Sequence, residues 1–170
     1  LAWIAANEPE VFTRARKLLM PSSYLVLRLT DEYVLDHHSA SQSDPLYDLR
    51  AGAWYEPWWQ ELAGPIRPPR LQWPGEPAGR VTAGAAAVTG LPVGIPVAVG
   101  TVDAWAEALS VGANQPGDLT LMYGTTMFIV GVAQDARPRA PLWTTMGVSR
   151  GVRTVAAGLS ASGGITAWLR

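Results

Sequence analysis

Apolar positions recur at two different spacings along this chain, and the change falls near residue 95. Before it the spacing is helical. Val11, Phe12, Ala15, Leu18 and Leu19 lie three or four apart behind Asn7-Glu8-Pro9-Glu10. In that start signal Asn7 caps, Pro9 sits in the first turn and Glu10 closes a box-like pattern. Pro21-Ser22-Ser23 opens a second helix, with Tyr24, Leu25, Leu27 and Arg28 before Thr30-Asp31-Glu32. Trp54–Leu62 is a third, and the Ala-rich run Thr82–Thr89 is a fourth, stopped by Gly90. Between the last two, Pro65, Pro68, Pro69, Pro74 and Pro77 make 65–79 read as an irregular connector.

From Ile95 onward the pattern belongs mostly to strands. Pro96–Val99 is short, apolar and partly β-branched, which predicts a buried strand ending at Gly100. Ala104–Leu109 is Ala-rich and predicts a helix. Gln115-Pro116-Gly117-Asp118 is a strong turn signal. Leu119–Tyr123 and Met127–Val132 then read as paired strands, joined by Gly124-Thr125-Thr126 at the length of a tight hairpin loop. A Gly-rich turn around Gly163-Gly164 opens a final helix toward Trp168. No internal repeat is evident.

Composition narrows the class. The 170 residues are 48% hydrophobic and 16% charged, which describes a globular, core-forming chain and excludes a disordered one. Thirteen basic against 14 acidic residues, with no basic run, argue against nucleic acid or an anionic membrane surface as partner. No apolar segment reaches the ~18 residues of a membrane span. The lack of cysteine excludes disulfides and thiolate metal sites and suits the cytoplasm. His37-His38 follows Asp36 without a third ligand at metal spacing, so these histidines read as packing or surface residues. Most of the eight Trp read as packing, with Trp105 weighted toward a cleft because it lies two positions after Asp103. Asp118 and Asp135 stand in turn contexts and read as solvated.

The candidate chemistry lies in 95–132 and in the last turn. Asp103 stands where a strand hands over to a helix. A carboxylate there can cap the helix, and capping alone would explain it. It can also accept a proton from an attacking hydroxyl. Gly124-Thr125-Thr126 can be an ordinary hairpin loop, or a turn whose N–H groups and hydroxyls hold phosphate oxygens. The Gly163 turn can bring backbone close to a phosphate, or merely let a helix pack closely.

Taken in order, these segments resemble the FGGY family of carbohydrate kinases, of the sugar kinase, Hsp70 and actin superfamily. The resemblance runs through Tyr24–Thr30, Asp36 with Ser39-Ala40-Ser41, Leu46-Tyr47-Asp48 and Trp54, then Gly79-Arg80-Val81 and Thr89–Val97. Gly100-Thr101-Val102-Asp103 matches the family's Gly-x-x-Asp, whose Asp is the general base. Gly124-Thr125-Thr126 is similar to its phosphate-contacting Gly-Thr-Ser or Gly-Thr-Gly turn, with the β-branched Thr126 as a departure. Gly163-Gly164 with Trp168 resembles the small-residue turn and helix beside the nucleotide phosphates.

The resemblance implies an actin-like ATPase (ribonuclease H-like) sugar kinase fold, of which this chain is an incomplete part. Residues 1–113 would be the later part of a sugar-binding first domain, and 114–170 the start of a nucleotide-binding second. The crossing would fall near 112–118, and apolar ends such as Leu1–Ile4 would be poorly covered. The implied cofactors are ATP and Mg²⁺, with Asp103 catalytic and Gly124, Thr125, Thr126 and Gly163 at the nucleotide. The implied partner is a sugar. The YGTTMF run and Val102-Asp103-Ala104 look more like xylulokinases than glycerol kinases, which favours a pentulose, D-xylulose first and L-ribulose close behind. A homodimer of the full-length protein is compatible with this picture. The family's N-terminal phosphate loop, its early sugar contacts and its late adenosine segment are not among these residues, so the isolated chain is expected to be inactive. The competing reading is a superfamily member that binds sugar or nucleotide without transfer, against which Asp103 argues.

Overall fold

A computed structural model describes residues 1–169. Backbone contacts divide the chain into two compact units, Leu1–Thr101 and Val102 onward. The turn at Gln115–Asp118, where the sequence suggests a crossing, lies inside the second unit.

The first unit runs α1 (Ala2–Asn7), α2 (Pro9–Arg14), α3 (Pro21–Thr30), β1 (Val34–Asp36), α4 (His37–Ala40), β2 (Tyr47–Asp48), β3 (Ala53–Trp54), α5 (Glu56–Ala63), β4 (Arg70–Gln72), β5 (Pro77–Arg80), α6 (Ala83–Thr89) and β6 (Pro96–Ala98). The first predicted helix is broken. Asn7 ends α1 rather than capping, Glu8 takes the N-cap of α2, and the helix stops at Arg14, with Ala15 extended. α5 starts two residues later than the Trp54–Leu62 reading, at Glu56, because Trp54 is paired in β3, whereas α3 and α6 start where their signals predict. Pro21 enters α3, and Thr82 caps α6 by accepting the Ala85 N–H at 3.2 Å. Gly90 closes α6 at φ 76°, a conformation glycine reaches without strain.

The Pro-rich stretch is less irregular than it reads. β4 pairs in parallel with β1, setting Asp36 opposite Gln72, and β5 pairs antiparallel with β6. Both pairings use only three or four residues, too few to show a period. Two cores result. Val26, Val34, Ala78 and Val99 join α3 to these strands. Leu46, Trp59, Ala63 and Ile66 form the other with Phe12, Leu18 and Trp54 around them. Trp59 donates its indole N–H to the Ile66 carbonyl at 2.8 Å, which meets the polar need of a buried Trp.

The second unit runs α7 (Asp103–Ser110), β7 (Leu119–Tyr123), β8 (Met127–Ala133), β9 (Trp143–Met146), β10 (Arg153–Leu159) and α8 (Gly163–Trp168). Its sheet is antiparallel throughout, in the order β7-β8-β10-β9. Period two sorts its faces. Met122, Phe128, Val130 and Ala156 face Trp105 of α7. Leu119, Leu121 and Tyr123, the alternate residues of β7, are exposed. Trp3, Trp168 and Leu169, near the two ends, are exposed as well.

Candidate functional site

Asp103 is the first residue of α7, and Val102 holds the N-cap position without a side-chain bond. The Asp103 carboxyl is exposed, and its Oδ1 accepts the Ala104 N–H at 2.8 Å. It therefore does part of a cap's work from inside the first turn. Oδ2 makes no bond among the described residues, which leaves one oxygen able to meet a hydroxyl.

Gly124, Thr125 and Thr126 join β7 to β8, as the apolar runs on either side predict. Gly124 donates its N–H to the Thr126 carbonyl at 2.8 Å. The start of α8 closes over this turn. Ser162 and Gly163 N–H groups donate to the Thr125 and Gly124 carbonyls, each at 2.9 Å. The Ser162 hydroxyl adds a bond to the Gly124 carbonyl at 3.1 Å. A Cβ on Gly163 would stand 2.5 Å from that carbonyl oxygen, so only glycine allows the approach. Thus Gly124, Thr125 and Gly163 come together, and Thr126 completes the loop. The Gly163 N–H is used within the protein. Thr125 and Thr126 are exposed, and neither their hydroxyls nor their N–H groups donate to a partner among the described residues.

An open groove links turn and helix. Ala104, Glu107, Met122, Tyr123, Gly124, Thr126 and Phe128 line it. Asp103 is not in that lining, but its neighbour Ala104 is. Trp105, weighted by sequence toward a cleft, is instead buried. Its indole N–H donates to the Thr154 hydroxyl at 3.0 Å, which lies 2.6 Å from the Thr145 hydroxyl. Ordinary helical spacing explains this: Trp105 and Ala108 are three apart and form the face of α7 turned to the sheet. Asp118 is not simply solvated, since its Oδ2 accepts the Asn114 and Gln115 N–H groups.

In the first unit, His37 Nδ1 meets the Tyr47 hydroxyl at 2.8 Å and its ring stacks on Trp73. His38 is buried against Gln42. No group of three His, Cys, Asp or Glu stands ready for a metal among the described residues. Ser162, Thr145 and Thr154 are the contributors that sequence reasoning missed, and the buried Asp36 enters it only through the family resemblance, with no role assigned. Only Asp36 carried a local signal, a carboxyl three residues ahead of Ser39 at capping distance.

An α/β chain with a carboxylate opening a helix and a Gly-Thr turn clamped by a second helix fits what the resemblance to the FGGY carbohydrate kinases implies. The comparisons agree. Residues 1–110 match the N-terminal domain of the FGGY family of carbohydrate kinases. A probable L-xylulose kinase of Pasteurella multocida is 34% identical over 138 residues, 79% of this chain and 28% of its own length. A ribulokinase of Mycolicibacterium smegmatis is 31% identical over 172 residues, 97% of this chain and 31% of its own. The crystal structure of xylulose kinase from Rhodospirillum rubrum superposes with a TM-score of 0.89 at 30% identity, covering 98% of this chain and 34% of that one. This chain belongs to the FGGY family of carbohydrate kinases. It spans about a third of the length of these relatives. Among the described residues no helix is long and apolar enough to cross a membrane.

Proposed function

We propose that the full-length protein containing this chain transfers the γ-phosphoryl group of ATP to a hydroxyl of a pentulose, with Asp103 as general base. The observation that carries the reading is the exposed Asp103 carboxyl, with one oxygen uncommitted, on the helix whose first turn shares a groove with Gly124 and Thr126. The relatives' names, xylulose kinase, L-xylulose kinase and ribulokinase, support a pentulose, and the xylulokinase-like YGTTMF and Val102-Asp103-Ala104 runs are our ground for taking D-xylulose first and L-ribulose next.

Asp103 accepts the proton of the sugar hydroxyl as its oxygen attacks phosphorus. Thr125 and Thr126 offer hydroxyls and N–H groups to phosphate oxygens, preorganised because α8 holds the turn from behind. Gly124 lets the backbone come close. Gly163 serves the nucleotide by seating that turn. ATP supplies the phosphoryl group. Mg²⁺ would arrive with the nucleotide, and no step is assigned to it because the described residues offer no cluster to hold it. We assign residues 1–113 to the sugar-binding domain and 114–170 to the nucleotide-binding domain. The family match ending at residue 110 supports that boundary. We assign the protein to the cytoplasm as part of this reading.

The test is ADP release by the full-length protein, coupled to an optical readout, over a panel of pentuloses, hexuloses and polyols. The reading expects ADP release with a pentulose and its loss in Asp103→Asn. Sugar or nucleotide binding with no ADP release for any member of the panel would identify a non-catalytic family member instead.

A further inference from the structure

Asp36 is the most deeply buried acidic residue of the first unit, 1% exposed, and the mechanism above makes no use of it. Its Oδ2 accepts two bonds of 2.9 Å each. One comes from the Ser39 N–H, which caps α4, and the other from the Thr101 hydroxyl, 65 residues along the chain. Its Oδ1 has no partner among the described residues. Capping a four-residue helix does not require a fully buried carboxyl, since exposed caps serve as well. The tie to Thr101 is the part that a local role leaves unexplained.

Thr101 is the last residue of the first unit, and it stands two residues before Asp103. Two peptide units span at most about 7 Å, so wherever the second unit lies, Asp103 cannot leave the neighbourhood of Thr101. The chain between strand and helix is constrained on its other side too. A Cβ at Gly100 would stand 3.1 Å from Ser22 Cβ of α3, so the backbone there runs close against that helix. Tying the Thr101 side chain to a buried acceptor that the Ser39 N–H also holds therefore removes freedom from the short segment that carries the base.

We propose that Asp36 and Thr101 form a positioning pair for the general base, holding the strand-to-helix connection so that the Asp103 carboxyl meets the sugar hydroxyl in reactive geometry. This rests on the reading of Asp103 as base. Neither residue touches substrate. Positioning of this kind acts on the chemical step, because a misplacement of the order of 1 Å costs about 10²-fold in rate while leaving ground-state binding largely intact.

The test uses Thr101→Val in the full-length protein, which deletes the hydroxyl at nearly constant volume. The expected result is a fall in kcat of roughly 10- to 10²-fold with sugar and ATP KM within about twofold of the parent. Thr101→Ser, which keeps the hydroxyl, should restore most of the rate. In an Asp103→Asn background Thr101→Val should cost little more, since a residue that acts through the base has nothing left to act on. If Thr101→Val is poorly soluble, Thr101→Ala read beside its thermal midpoint gives the same comparison. Parent-like kcat in a hydroxyl-deleted variant overturns the positioning pair. So does an equal loss in the Asp103→Asn background, which would mark a general structural role. Near-normal turnover of Asp103→Asn alone would instead bring down the base reading, and the positioning pair with it.

Discussion

The two compact units reach order by different means. The first is assembled from short helices and strand pairs of two to four residues around two separate cores, and it buries Ser23, Thr30, Asp36, His38, Ser39 and Ser41. Polar ties between distant segments hold such pieces in place: Asp36 to Thr101, His37 to Tyr47, Tyr33 to Arg67 and Leu18. The second unit has one four-stranded sheet, one helix on its inner face, and a core centred on Trp105, Val130 and Ala156. There a period of two does most of the specifying. The difference teaches where function is vulnerable: by individual bonds in the first unit, and by packing against one aromatic in the second.

The largest effect expected is on turnover. Asp103→Asn should lower kcat by roughly 10²- to 10⁴-fold with nucleotide affinity nearly kept, the range for losing a general base. Thermal stability should hardly move, because the residue is exposed and Ala104 N–H keeps an acceptor in the Asn side chain. A variant with ordinary turnover would return Asp103 to capping and leave the groove without its chemistry.

Next comes the packing of the second unit. Trp105→Ala removes the central aromatic and takes the indole N–H away from the Thr154 hydroxyl, which keeps Thr145 beside it. A loss of about 3–5 kcal/mol is expected for a buried Trp. Hydrogen exchange on the full-length protein should show it in peptides covering β7 to β10, with peptides from the first unit little changed. Equal loss of protection in both units would mean that they unfold together, and the contrast drawn between them would fail.

How much was legible follows from the same contrast. The β7–β8 hairpin could be read because Leu119–Tyr123 and Met127–Val132 are long enough for a period and flank a three-residue turn. The FGGY motifs could be read because Asp103 and Gly124-Thr125-Thr126 carry a recognisable order. Strands β2 to β5 could not, since two to four residues among prolines show no period. The clamp on the turn was hidden for another reason. Ser162 and Gly163 meet Gly124 across 38 or more residues, and no local signal marks a partner so far away. Trp105 was misplaced because closeness in sequence to Asp103 says little on a helix, where positions two apart point to different faces.

A smaller effect is expected at the clamp. Gly163→Ala puts a methyl 2.5 Å from the Gly124 carbonyl oxygen, so the start of α8 must move off the turn. A local cost of about 1–3 kcal/mol is expected from such overpacking. Exchange should quicken in peptides over 160–168, and the KM for ATP should rise if the turn faces phosphates. Quickened exchange with an unchanged ATP KM would separate the clamp from the nucleotide.

The smallest effect is in the first unit, and it depends on pH. The Tyr33 hydroxyl accepts the Leu18 N–H at 2.8 Å and donates to the Arg67 carbonyl at 2.9 Å, tying the stretch after α2 to the segment before β4. Desolvation by burial pushes this hydroxyl above the usual tyrosine range, against the pull of the Leu18 bond. A raised folded-state value means that its stabilisation is fully present below the unfolded value, near 10, and is lost as pH rises through the higher folded value. Tyr33→Phe should cost about 1 kcal/mol at neutral pH, the net worth of a hydrogen bond. It should also flatten the alkaline fall in first-unit stability. Thermal melts and hydrogen exchange of parent and variant between about pH 8 and pH 11 read both effects. Parallel alkaline limbs would assign the fall to another group, and would show that this polar tie does not hold the first unit in the way its geometry suggests.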